Sequence, residues 1–260
     1  MKKSRSPLTI TRSVIFALIL REMRGRFGKV RLGAVWVIFE PLMHMIAIGT
    51  VLTLRGRATG STDFLVWLLV GLSPFLLFKN IALKLLGSVE ANKALFSYKQ
   101  IQPADAFFAR MIVEFCIAVP VFMLIYAGLT WFGRDTEIQN PMEWLGVLFT
   151  GMVFSFALGI IYAAIAEAIP ESAFILRLTF LPLYLLSGVI FPLNRVPRDY
   201  IDYILWNPYL HFIDLIRYST FQNYRLFDGV SYGYVFNVTL STLFLACAIY
   251  RIRRYRLMAL

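Results

Sequence analysis

The chain has 260 residues, of which 59% are hydrophobic and only 16% charged, and its mean hydropathy is +0.68. Soluble domains carry about 45–50% apolar and about 25% charged residues, so this composition excludes an ordinary water-soluble fold and describes a chain that crosses a membrane several times. The net charge of +11 fits either nucleic acid or anionic lipid as a partner, and the placement of the charges decides between them.

The first residues, MKKSRS, resemble the basic start of a signal peptide. The apolar stretch behind them, VIFALIL (14–20), is short, and REMRGR follows without a small-x-small cleavage site, so the segment is expected to be retained. Across residues 8–31, Arg12, Arg21, Arg24 and Arg26 are interleaved with Ile15, Leu18, Ile19 and Met23 at helical spacing. A basic helix with a narrow apolar stripe lies in the plane of the membrane interface. The plainer alternative is an anchor that only sets orientation.

Six stretches approach the roughly 20 apolar residues of a crossing helix. They are 34–54, 64–86, 108–132, 144–166, 173–193 and 233–250. Lys79 and Lys84 interrupt the second, Pro120 lies in the third and Pro182 in the fifth. Neighbouring helices can satisfy the carbonyls that such prolines free. Glu40, His44 and Glu114 fall inside spans, where an ionisable group is a functional candidate by default. Structural pairing or interface roles are preferred over proton coupling, because only Glu40 and Glu114 lie well inside and Glu40 directly precedes Pro41. In the fourth span Gly151, Ser155, Gly159 and Ala163 recur every four residues, a stripe that permits close packing inside the protomer or at a dimer seam. Cys116 and Cys247 lie in apolar runs, and His44 and His211 are far apart in sequence, which leaves little material for a disulfide or a zinc site.

Between the second and third spans, GSVEANKALFSYKQIQP (87–103) is amphipathic, and Val89, Leu95, Phe96 and Ile101 are expected to be exposed among its polar residues. Between the fifth and sixth, residues 194–232 hold two short helical patterns. Pro197 starts the first, with Tyr200, Ile201, Ile204 and Leu205 on one side. Asn207 caps the second and Pro208 takes its first position, where a missing N–H is harmless. Phe212, Ile213 and Ile216 share one face of it, and His211, Asp214 and Arg217 follow each other on another. Helices this short either dip into the outer leaflet and return or lie flat on the surface.

An even number of spans puts both termini on one side. Nineteen Lys and Arg residues fall with the termini and seven on the opposite side, so the termini are expected in the cytoplasm. Each basic residue near an anionic leaflet contributes about 1 kcal/mol, which accounts for the net charge without nucleic acid. No G-x-x-x-x-G-K-[ST] occurs, so a nucleotide-driven pump of this kind needs its ATPase, with ATP and magnesium, from another polypeptide.

Two regions carry a family resemblance. In REMRGRFGKVRLGAVWVIFEPL (21–42), Arg31, Leu32, Gly33, Trp36 and Pro41 are similar to the lead-in and start of the first span in ABC-2-type permeases that export bacterial polysaccharides. In SGVIFPLNRVPRDYIDYILWNPYLHFIDLIR (187–217), Ser187, Gly188, Phe191, Pro192, Pro197, Asn207, Pro208 and Arg217 resemble the ABC-2 signature around the exit of the fifth span. The nearest subgroup is the capsular polysaccharide exporter permease.

The resemblance implies an all-α membrane protein of six spans. It is expected in the bacterial inner membrane, as the non-catalytic subunit of an ATP-driven exporter of lipid-linked capsular polysaccharide. A second copy of the chain and two ATPase subunits complete the pump, with a periplasmic co-polymerase and an outer-membrane exporter beyond it. It implies ATPase coupling through Leu95, Phe96 and Lys99. It implies a channel along the first and fifth spans, where Trp36, Phe39, Phe180, Tyr184 and Phe191 can meet sugar rings. Arg21, Arg24, Arg26 and Arg31 are candidates for attracting a lipid phosphate, and Asn207, Pro208, His211, Asp214 and Arg217 for an outer gate. Alternatives are export of O-antigen, teichoic acid or a small lipophilic compound by the same fold, and a proton-coupled carrier. A glycan-modifying enzyme lacks clustered acid–base residues.

Overall fold

The computed structural model describes residues 6–27, 33–54, 63–190, 193 and 200–258, and of residues 7, 33–37 and 52–54 the backbone alone. All regular structure in the described residues is helical. In chain order the helices are α1 (Pro7–Phe27), α2 (Gly33–Leu54), α3 (Phe64–Leu86), α4 (Ser88–Asn92), α5 (Pro103–Trp131), α6 (Pro141–Ala168), α7 (Ser172–Leu178), α8 (Phe180–Leu185), α9 (Ile201–Ile204), α10 (Pro208–Thr220) and α11 (Tyr232–Met258), with a 3-10 turn, Lys93–Ser97, after α4. Arg31, Leu32, Phe191, Pro192 and Pro197 lie outside the described residues.

Four helices, α3, α5, α6 and α11, are long and apolar enough to cross a membrane by length and composition. Two shorter apolar stretches, Ile38–Val51 and Ser172–Leu185, fall in the expected first and fifth spans. Pro182 explains the shortness of the latter. It has no N–H to give to the carbonyl of Leu178, and its ring crowds that carbonyl, so the helix breaks at Thr179 between α7 and α8. The Thr179 hydroxyl turns back to the Leu176 carbonyl at 2.7 Å and meets the Tyr162 hydroxyl at 2.9 Å.

Local chemistry fixes the helix starts. Asp63 caps α3 by accepting from the Leu65 amide at 3.0 Å. Gln102 and Asp105 form a capping box at α5, with Pro103 at the first helical position. Pro141 starts α6, and the preceding Asn140 amide donates to the Ser219 carbonyl at 2.9 Å, tying the α5–α6 connection to the end of α10.

The core is built on α3 and α6. Within the most apolar window of α3, 72% of residues are buried, against 28% for α5 and 17% for α11, so the latter two are peripheral. The small-residue stripe of α6 packs inside the protomer. A Cβ on Gly151 would stand 2.3 Å from the Phe78 ring, and one on Gly159 would stand 2.8 Å from Leu85 Cβ. Both contacts are with α3, which those glycines let approach closely.

Candidate functional site: the buried helical pair and the α1 clamp

Helix α10 lies inside the bundle. Asn207 Oδ1 accepts from the Tyr209 amide at 3.0 Å, and Asn207 Nδ2 reaches the Leu183 carbonyl at 3.3 Å, so the cap also ties α10 to α8. Tyr209 is fully enclosed. Its ring packs on Phe75, Phe78, Phe154 and Phe180 with centroids 5.3–6.1 Å apart, and its hydroxyl meets Ser155 at 3.1 Å. Phe78 lies roughly 20 Å along α3 from its first turn at 1.5 Å per residue. From there α10 runs back along α3 to Trp67, near that helix's start.

Arg217 closes the arrangement. It is 0% exposed, stacks 3.5 Å over the Trp67 ring, and donates from Nη1 to the Gly188 carbonyl at 2.7 Å and from Nη2 to the Val189 carbonyl at 3.2 Å. Gly71 makes the room, since a Cβ there would come 2.3 Å from Arg217 Nη2. Gly188 sits at φ +70°, a left-handed conformation that favours glycine.

His211, Asp214 and Arg217 share the α10 interior, yet each reaches a different segment. Asp214 accepts from the Tyr224 hydroxyl at 2.5 Å and the Phe227 amide at 2.9 Å. Burial pushes the Tyr224 phenol up, the nearby Arg217 cation opposes this, and the group stays a donor. His211 Nδ1 accepts from the Ser231 amide at 3.3 Å, which leaves Nε2 as donor to the Leu205 carbonyl at 2.8 Å. Its ring stacks on Tyr234 at 4.3 Å. The polar face thus ties α10 to the chain on both sides of it within one protomer.

The channel candidates are differently placed. Phe39 is exposed on α2, and Trp36 belongs to the same helix. Tyr184 is half-buried on α8, 5.0 Å from the Phe75 ring, and its hydroxyl has no hydrogen-bond partner among the described residues. Phe180 is buried between Tyr162 and Tyr209.

At the end of α3 away from Trp67, α1 is clamped to its neighbours. Arg26 pairs with Glu114, Arg110 pairs with Glu22 at 3.5 Å and also reaches the Lys84 carbonyl, and Arg21 bonds Asn92 of α4. Burial lowers the Arg26 guanidinium from its ordinary value, while Glu22 opposes the shift. Arg21 and Arg26 are therefore engaged within the protein, and Arg24 is exposed. The glutamates expected to pair do so, Glu114 with Arg26 and Glu40 with Lys79.

The segment 87–103 corrects one expectation. Val89 and Phe96 are buried and Leu95 and Ile101 half-buried, because the apolar side of this amphipathic stretch is laid on its own bundle. Its exposed residues are Glu90, Ala91, Lys93, Ala94, Ser97, Tyr98, Lys99, Gln100 and Gln102, with Tyr98 the large apolar side chain among them. Trp67, Gly71 and Tyr224 were not legible as partners of Arg217 and Asp214. A tryptophan near a span end reads as an interface anchor.

Comparison with known proteins agrees with this architecture. The ABC-2 type transporter family model matches residues 13–221. The polysialic acid transport protein KpsM of Escherichia coli is 36% identical over 251 residues, covering 96% of this chain and 97% of that protein. The capsule polysaccharide export inner-membrane proteins BexB of Haemophilus influenzae and CtrC of Neisseria meningitidis serogroup B are 25% and 27% identical, covering 84% and 92% of this chain and 82% and 89% of theirs. The chain belongs to the ABC-2 type transporter family.

Proposed function

We propose that the chain is the membrane-spanning permease subunit of an ATP-driven exporter of capsular polysaccharide. Two copies enclose the path, two separate ATPase subunits supply ATP hydrolysis, and the cargo is a lipid-linked, acidic glycan that leaves the cytoplasm across the inner membrane. The similarity to a polysialic acid transport protein across nearly the whole of both chains carries this reading. Sialic acid bears a carboxylate on every residue, so an acidic cargo is the natural class.

Six crossings follow if α2 and the broken α7–α8 pair supply the first and fifth spans beside α3, α5, α6 and α11. Both termini then face the cytoplasm. The depth of Tyr209 against Phe78 supports α9–α10 as a re-entrant pair, with protein covering the turn as its backbone requires. The pair serves as the outer gate. A periplasmic co-polymerase and an outer-membrane exporter continue the path, and the exposed surface of residues 87–103 meets the ATPase.

Reconstitution tests the reading. Proteoliposomes holding the chain and its ATPase should move lipid-anchored polysialic acid only with hydrolysable ATP. Movement driven by a proton gradient without ATP would overturn it in favour of a secondary carrier.

A further inference from the structure

The ionisable groups within the apolar helices differ in how they are enclosed. Glu114 is 3% exposed against Arg26. The Lys79–Glu40 pair is different. Its Nζ–Oε1 distance is 3.7 Å, long for an ion pair, and its side chains are 25% and 40% exposed. Glu40 lies seven residues into α2 and Lys79 seven before the end of α3, so both stand roughly 10 Å inside their helices at 1.5 Å per residue.

A charge turned toward lipid at such depth is unfavourable by up to about 2.5–3.5 kcal/mol. This pair therefore opens onto water, onto cargo or onto a second copy of the chain. Its surroundings say which. On α2, exposed Phe39 precedes Glu40, and exposed Met43 and Ile46 continue the same face. On α3, Lys79 lies one turn from Phe75, whose ring is 5.0 Å from Tyr184. The pair thus borders the exposed aromatic Phe39 on α2, and Glu40 holds the ammonium by a single long contact.

We infer that Lys79 and Glu40 form an oxyanion-exchange site on the transport path. The Lys79 ammonium leaves the Glu40 carboxylate for a carboxylate or phosphate of the cargo, and returns to Glu40 when the cargo moves on. Glu40 keeps the cation from standing unpaired between passages and weakens its hold enough to allow release. This rests on the export reading above. An oxyanion can come from the sugar chain or from the phosphate of its lipid anchor.

The test uses the permease assembled with its ATPase in lipid. The probes are phospholipid-anchored polysialic acid and the same polymer with its carboxyls reduced to alcohols. The readout is the polymer concentration that half-maximally stimulates ATP hydrolysis, with the melting temperature of the complex measured alongside. The double variant Lys79→Gln/Glu40→Gln removes both charges without stranding either. It should raise the half-maximal concentration of the acidic polymer at least tenfold, and Lys79→Arg should stay within about threefold of the parent. A rise for the acidic polymer alone assigns the site to sugar carboxylates, and a rise for both polymers assigns it to the lipid phosphate. Unchanged values for both overturn the inference. So does a loss shared by Lys79→Arg and accompanied by a lowered melting temperature, which marks a mere α2–α3 clasp. If neither polymer stimulates the parent protein, the export reading itself falls.

Discussion

Arg217→Met is the most informative single perturbation of the α9–α10 pair. The substitution keeps an unbranched apolar stem and removes the guanidinium. It deletes two hydrogen bonds from a charged donor, to the Gly188 and Val189 carbonyls. Each such bond contributes about 1.5–3 kcal/mol. It also deletes the stacking on Trp67 at 3.5 Å, worth about 2 kcal/mol when desolvated. Against these stands the several kcal/mol that burying a cation costs, which the methionine no longer incurs. The difference is a destabilisation of about 2–4 kcal/mol. For a chain of this size 1 kcal/mol moves the melting temperature by about 2–4 °C, so a fall of about 4–16 °C is expected in lipid nanodiscs. Arg217→Lys should lose most of the same stability, because an ammonium cannot serve two carbonyls and a ring face from one plane. A methionine variant that melts within 1 °C of the parent, or a lysine variant that matches it, would refute the claim that the planar fork holds this corner.

Other substitutions separate the remaining contacts. Gly151→Val drives a branched side chain into the Phe78 ring, and overpacking of about 1–3 kcal/mol should appear as a lower melting temperature and poorer yield. Asn207→Ala removes the α10 cap and should cost about 1 kcal/mol, a smaller shift than at Arg217. Arg26→Glu should loosen α1, and the exchange Arg26→Glu/Glu114→Arg should restore protease resistance of α1 to the parent level. On the exposed surface of residues 87–103, Tyr98→Ala should reduce polymer-stimulated ATP hydrolysis at unchanged melting temperature, whereas Phe96→Ala should lower melting by the loss of a buried ring, about 3–5 kcal/mol.

Four of the six expected spans were readable because an uninterrupted apolar run of sufficient length has few other uses. The start of α10 was readable for an equally local reason, since Asn-Pro is both a cap and a first turn. What the sequence left open was direction in space. His211, Asp214 and Arg217 announce a polar face by their spacing, but that face could have met solvent or a second copy. Nothing local says that Asp214 will find Tyr224 or that Gly71 vacates space for a guanidinium. The same applies at Phe96. An amphipathic pattern fixes that one side will be covered and leaves open whether its own bundle or a partner covers it, and here the bundle does.

Intramembrane charges show the limit most clearly. By sequence Glu40, Glu114 and Lys79 are equivalent interruptions of apolar runs, each unfavourable in lipid for the same reason. Enclosure separates them. Glu114 and Arg110 are pinned by α1, at 3% and 10% exposure, and they hold α1 to α5. Glu40 and Lys79 hold each other across a longer gap with their flanks open. A sealed pair is fixed at folding and can do no further work without breaking the fold. An open pair keeps a charge available to whatever passes, at the expense of a weaker clasp. The degree of enclosure therefore distinguishes a charge that builds the bundle from one that can serve the cargo.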